Sequence, residues 1–312
     1  MLNLSRLQAL QAVATHGSIT GASAALGYTP SAVSQQIAKL ERETRTELLE
    51  RQGGRIFLTP AAHVLVGAAR DVLFTLEQAE ARLEEQRATP AGRLLMAGFP
   101  TACHGLLPAV LAALAEHREL DSRLVEADPH HVLELVVAGE ADLGVVHDWH
   151  NTPLVLPASL SRARIGVDVA DVLLPAGHRL SALVVLSPAD LADERWISQQ
   201  PGSMCHDWLQ RTFAEEGVEP RIGYSVGEYQ SQMALLAAGL GVALVPRLGR
   251  GLVPEGVQVA ALHPRPWRRI WAVWRTPMSD RPAVRAALAA LTDQWAAQGS
   301  AEPSGGTGRL VS

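Results

Sequence analysis

The sequence predicts a mainly α winged helix-turn-helix of about 60 residues, then one long helix, then a two-lobed α/β body. Three observations carry this. The stretch "YTPSAVSQQIAKLE" (Tyr28–Glu41) has a capped start and one apolar face. The stretch "AAHVLVGAARDVLFTLEQAEARLEEQRA" repeats apolar residues with period 3.5. Beyond "TPAGR" (Thr89–Arg93), apolar strand-like runs alternate with amphipathic helices.

Thr29 suits an N-cap, because its hydroxyl can accept from a free N–H of the first turn. Pro30 then falls at the first helical position, where its missing donor costs nothing. Stepping about 100° per residue puts Ile37 and Leu40 within about 40° of Val33, which makes one apolar stripe. Ser31, Gln35 and Arg42 fall opposite, with Ala38 and Lys39 beside them and Ser34 on the flank. Just upstream, "SITGASAALG" gives a short helix over Ile19 to Leu26 whose small residues allow close packing. Joined at Gly27-Tyr28, the pair reads as helix-turn-helix, whose second helix enters a major groove.

A solvated helical hairpin is the plain alternative, and the flanks decide against it. "LSRLQALQAVATHGS" supplies a preceding helix with Leu7, Leu10 and Ala14 on one side. "ELLERQGGRIFLTP" gives two extended runs around Gly53-Gly54, a β-wing. Arg51 and Arg55 sit at that wing, placed for phosphates or a minor groove. Thr29, Pro30, Ser31, Ser34, Gln35, Lys39, Arg51 and Arg55 are therefore the candidate DNA contacts.

A net charge of −5 would repel DNA if it were evenly spread, but it is not. Residues 1–60 hold six cations against four acids, while the remainder holds 21 against 28. Affinity for phosphate comes from local neutralisation, so an acidic body leaves the basic module free to bind.

"LQALQAVATHGSITGASAALGYTPSAVSQQIAKLE", followed by "LLERQGGRIFLTPAA", closely resembles the DNA-binding domain of the LysR-type transcriptional regulators. The resemblance continues more loosely to about residue 297. Three positions depart from the family pattern, which usually has Gly at Arg45, Phe at Leu49 and Gly at Ala62. The resemblance implies a regulator of transcription that binds double-stranded DNA as a homodimer or homotetramer and works with RNA polymerase. It also implies a small-molecule effector and no cofactor.

In the long helix, Leu65, Ala69, Val72, Leu76, Ala79 and Leu83 follow steps of 4, 3, 4, 3, 4, which is a coiled-coil seam. A partner copy of the same helix covers such a seam most simply. The family resemblance makes residues 61–88 the linker helix, with Leu65, Val72, Leu76 and Leu83 as dimerising residues.

Alternating strands and helices imply a parallel sheet with helices on both faces. Strands are expected at "RLLMAG", "SRLVEA", "ADLGVVHD", "DVLLPA", "RWISQ", "RIGYSV" and "GVALVPR", with a helix over His104 to His117 after the first. The chain returns to its first lobe through "RRIWAVWRT" and a last helix. The expected bounds are 1–60 for the DNA-binding module, 91–162 with 265–298 for lobe I, and 163–264 for lobe II. Residues 299–312 are Gly/Ser-rich and expected to lack structure. "LVVAGEADLGVV", "VLLPAGHRLS" and "LLAAGLGVALVPR" resemble the family's effector domain, which has the periplasmic-binding-protein fold.

Ligands of open α/β sheets bind beyond the carboxyl ends of strands, between lobes. Four segments are expected there: Thr101, Ala102, Cys103 and His104; Gln200, Gly202 and Ser203; Gly227 and Glu228; and His147 with Asp148. The first two open helices, whose free N–H groups favour an anion. Plain N-capping accounts equally well for Thr101 and Ser203. The Cys-His pairs at 103–104 and 205–206 would suit a redox or metal sensor, with His147 as a third ligand, if their thiol pKa values were lowered.

Rival classes fare worse. No GxSxG, P-loop, HExxH or strand-borne GxGxxG marks an enzyme. A transporter's solute-binding protein needs an export signal and has no use for residues 1–60. The start has no apolar h-region, no run of 18 apolar residues occurs, and Cys103 and Cys205 form no CxxC. A cytoplasmic protein is expected.

Overall fold

The computed structural model describes residues 2–53, 55–86 and 89–299, with only the backbone of Arg51, Gln52 and Arg55. The expected tail beyond residue 299 lies outside these. The chain divides into two compact units, the first of residues up to 88 together with 138–140 and 277–281, the second of the rest.

The first unit begins with α1 (Leu4–His16), α2 (Ile19–Leu26) and α3 (Pro30–Thr44). Ser18 caps α2 by accepting from the Gly21 N–H at 3.0 Å, and Gly27 ends it in the left-handed region at φ 67°. Thr29 caps α3 by accepting from the Ala32 N–H at 3.2 Å. Val33, Ile37 and Leu40, the stripe read from the sequence, are the buried face of α3. They pack with Leu7, Leu10, Val13 and Ala22 into one core. A carboxylate oxygen of Glu41 accepts from the Leu48 N–H at 2.9 Å and so ties α3 to the strand that follows.

That strand, β1 (Leu49–Gln52), pairs antiparallel with β2 (Arg55–Leu58) across the turn at Gly53, in register Leu49↔Leu58. Helix α4 (Pro60–Glu85) follows, with Thr59 capping the Ala62 N–H. Its first turns are spent on its own domain, since Ala62, Val66 and Ala69 are buried and Leu65 packs partly against them. Leu65, expected in the seam, is half-buried and shares its side chain with this core. Further along, Val72, Leu76 and Leu83 are 44%, 41% and 64% exposed.

The second unit contains β3 (Gly92–Gly98), α5 (Pro100–Gly105), α6 (Leu107–Leu114), β4 (Leu120–Glu126), α7 (Pro129–Ala138) and β5 (Leu143–Trp149). Next come β6 (Leu160–Pro175), β7 (Val185–Leu186), β8 (Arg195–Ser198), α8 (Met204–Glu215) and β9 (Arg221–Ser225). Helix α9 (Tyr229–Ala237), β10 (Ala243–Pro246), β11 (Val257–Leu262), β12 (Trp267–Arg275) and α10 (Pro282–Ala297) complete it.

The sheet is mixed where an all-parallel one was expected. Strands β4, β3 and β5 are parallel, but β12 runs antiparallel to both β5 and β6. The sixteen-residue β6 pairs with β12 along its first part and with β10 and β11 along its last. The expected lobe boundary at 162/163 therefore falls inside one continuous strand. Strands β8 and β9 form a separate parallel pair. The helix expected over His104–His117 instead begins at Pro100, which takes the first helical position, and is broken at Leu106 (φ −128°) into α5 and α6.

Candidate functional site

The first unit presents a surface suited to DNA. Burying Val33, Ile37 and Leu40 turns Ser31, Gln35 and Lys39 outward, and all three are exposed. Their i, i+4, i+8 spacing makes one stripe. Arg42 continues it, and Ser34 is half-buried on the flank. Thr29 is both cap and neighbour, its hydroxyl lying 3.0 Å from that of Ser31. Pro30 fixes the start. The Arg51 and Arg55 side chains lie outside the described residues.

The second unit holds a buried ionic hub that the sequence reading missed. Asp168 on β6 and Arg268 on β12 are 5% and 1% exposed. Arg268 donates to Asp168 through Nε (2.9 Å) and Nη2 (2.8 Å), and through Nη2 to the Thr101 hydroxyl at 2.6 Å. Its guanidinium also lies over Phe99 and Trp149, 5.0 and 5.5 Å from the ring centroids. The second Asp168 oxygen accepts from the Leu248 N–H. The signal was available: an Asp and an Arg inside two apolar strands are each costly unless paired.

Thr101 is thus not the cap of α5, a position held by Phe99, and its hydroxyl accepts from Arg268. Ala102 is fully buried, Cys103 is half-buried and His104 is exposed. His147 faces inward too, 3% exposed and edge-on to Phe99 at 4.6 Å. Burial, with the charges of Arg268 and His130, holds its imidazole well below the ordinary value. Asp148 is taken by Arg269, at 3.0 and 2.7 Å, and by the Trp271 indole.

Across the body, Ser203 is the N-cap of α8 and accepts from the His206 N–H at 3.3 Å. Gln200 and Gly202 are exposed, and Gly202 takes φ 87°. A Cβ on Gly227 would come 4.0 Å from the Gln200 amide nitrogen, so these two do lie together. Glu228 is exposed, its carboxylate accepting from the Ser231 hydroxyl at 2.6 Å.

The cysteines depart from the lowered pKa a sensor would need. Burial, with Glu126 nearby, pushes the Cys103 thiol up to about 12. Burial raises Cys205 as well, despite Arg268 and the Tyr229 hydroxyl 3.8 Å away. Their place inside the fold outweighs any helix-terminus effect, and both are protonated thiols at neutral pH. Among the described residues, no three His, Cys, Asp or Glu side chains come together to hold a metal ion.

A pocket of about 20 Å³ lies between Trp149 of β5 and the elements β8, α8, α9 and β10. Trp196, Leu209 and Leu244 add apolar wall, and Gln199, Gln232 and Cys205 add polar groups. Such a volume holds about one water.

A winged helix-turn-helix with an outward hydrogen-bonding stripe, joined to an α/β body with an interior pocket, defines a ligand-responsive DNA-binding protein. Residues 4–63 match the family described as bacterial regulatory helix-turn-helix protein, lysR family. Residues 87–296 match the LysR substrate binding domain. The chain belongs to the LysR family of transcriptional regulators.

Among its relatives, the transcriptional regulator XapR of Escherichia coli is 27% identical over 291 residues, covering 93% of this chain and 97% of XapR. CysL of Bacillus subtilis is 24% identical over 277 residues, 88% and 91% of the two chains. A full-length OxyR variant of Pseudomonas aeruginosa has a similar fold, with a TM-score of 0.68 at 21% identity over 95% of each chain. Full-length CbnR in complex with its target DNA gives a TM-score of 0.53 at 20% identity, covering 94% of this chain and all of CbnR. The family and these folds bear out the winged helix-turn-helix and α/β effector domain expected from the sequence.

Proposed function

We propose that the protein reads a two-half-site operator as a homodimer or a tetramer built from dimers, and that a small-molecule effector between the lobes adjusts that binding. The observation that carries the reading is the stripe of Ser31, Gln35 and Lys39 on α3, turned out by the burial of Val33, Ile37 and Leu40. Ser31, Ser34 and Gln35 read base edges, while Thr29, Lys39, Arg51 and Arg55 hold phosphates. Val72, Leu76 and Leu83 of α4 join two copies, which brings two reading helices to successive major grooves.

The effector acts by favouring one lobe arrangement over another, because only differential affinity can shift an equilibrium. Gln200 and Gly227 stand near its path, while Thr101 acts through Arg268. RNA polymerase is the partner on which the bound protein acts, and the cytoplasm is where it meets both. No helix among the described residues is long and apolar enough to cross a membrane.

Footprinting with the full-length protein on the DNA upstream of its own gene and its neighbours tests the reading. Two protected half-sites about one helical turn apart, roughly 34 Å, are expected. Absence of any protected region would remove the operator-reading assignment.

A further inference from the structure

The indole nitrogens of Trp149 and Trp196 are buried; Trp196 has no hydrogen-bond partner, and Trp149 meets only the thiol of Cys205, a weak acceptor. Both rings are fully buried and both line the 20 Å³ pocket. A buried donor left without an acceptor costs about 1–3 kcal/mol, so this wall gains whenever an acceptor enters. A water satisfies part of that need, and a ligand oxygen that makes the same bonds can displace it.

We infer that this pocket, once widened, takes an uncharged and mainly apolar molecule whose carbonyl or ether oxygens accept from the Trp149 and Trp196 indole N–H groups. This rests on the interlobe reading above and narrows its ligand class. None of the lining side chains is a carboxylate, an ammonium, a guanidinium or an imidazole, so a charged ligand finds no ionic partner in the wall itself. Arg268, whose charge acts on Cys205, is already met by Asp168. Burial raises the Cys205 thiol and holds the Tyr229 phenol well above its ordinary value. Surroundings that keep those two groups neutral disfavour a carboxylate in the same way. The apolar wall, Trp149 with Leu209, Leu244 and Pro246, suits a ring or a short chain. Trp149 comes from β5, whereas the remaining wall comes from β8 to β10. Widening the pocket therefore requires β5 to shift against the other elements, which links occupancy to lobe closure.

The test uses uniformly 15N-labelled full-length protein, which reports its backbone amides and its seven tryptophan indoles together, with Trp149→Phe and Trp196→Phe assigning two of the indole signals. Trp208, whose indole N–H also lacks a partner but does not line the pocket, is the internal control. The probes are acetophenone, its acceptor-free counterpart isopropylbenzene, and benzoate.

Acetophenone is expected to move the Trp149 and Trp196 signals downfield in a saturable way and to leave Trp208 in place. Isopropylbenzene should bind about tenfold more weakly, the factor that one hydrogen bond of ordinary strength commands. Equal binding by isopropylbenzene would overturn the inference. Benzoate shifting the Gln200 and Ser203 backbone amides with both indoles unmoved would overturn it too, yet leave the interlobe site standing. If none of the three probes moved an amide in either lobe, both readings would fall.

Discussion

Arg45 is the one non-glycine among the described residues with a positive φ, at 52°, where it ends α3. The left-handed region costs a side-chain-bearing residue about 1–2 kcal/mol, and glycine gives back about 0.5–1 kcal/mol in unfolded-chain freedom. Arg45→Gly should therefore stabilise the first unit by up to about 1 kcal/mol, read as a rise in urea midpoint; a fall would show that the Arg45 side chain is itself holding structure. His147 offers a second residue-scale test. Its imidazole stays neutral in the fold but charges in the unfolded chain below the ordinary value of 6.5. The unfolded state then binds more protons, so stability is full above pH 6.5 and falls as the pH drops below it. His147→Leu should remove about 1 kcal/mol of the loss between pH 7.5 and 5.5, and identical pH profiles for the two proteins would contradict the assignment. Both features show what sequence can carry at this scale. The family pattern pointed to a glycine position at Arg45, and the φ value supplies the reason. The inward turn of His147 depends on Phe99 and Arg268, which lie far away in the chain, so no local pattern reported it.

At the scale of elements, α1 to α4 were legible because each is set by a local device. Caps at Ser18, Thr29 and Thr59, the glycine at 27 and a 3.6-residue apolar period fix their bounds. The body was legible only in part. Periodicity marks a strand but carries no direction, so the antiparallel crossing of β12 between β5 and β6 was hidden. β7 has two residues, too few for any pattern. The seam of α4 divides at Ala69: above it the side chains feed the core, and below it Val72, Leu76 and Leu83 face outward. Leu76→Lys is expected to convert the oligomer to monomers by light scattering with the fold intact, and an unchanged mass would rule out this seam. The loop after β10 meets α5 through glycines. Gly249 has φ 75°, and a Cβ there would lie 2.5 Å from the Thr101 carbonyl oxygen. Gly256 has φ 86° but open space around it. Gly256→Ala should cost about 1 kcal/mol for its backbone alone, and Gly249→Ala at least about 2 kcal/mol. Equal costs would mean that the loop yields without resistance.

For the whole molecule, charge and geometry agree on a division of labour. The N-terminal module carries an excess of two cations, and the remainder an excess of seven acids. A single module with so few cations is expected to bind phosphate weakly, so the proposed pairing of two copies through α4 would supply the operator affinity. Specificity must then come from the few side chains that α3 turns outward. Effector coupling of the usual 1–3 kcal/mol is enough to change the geometry of two modules on DNA without touching the reading helix. The most direct test of this account is fluorescence anisotropy of the full-length protein and Gln35→Ala on the footprinted operator and on a scrambled duplex at one fixed salt concentration. The account predicts that Gln35→Ala loses about 1–3 kcal/mol on the operator and almost nothing on the scrambled duplex. An equal loss on both duplexes, or none on either, would contradict the claim that this face of α3 reads the sequence.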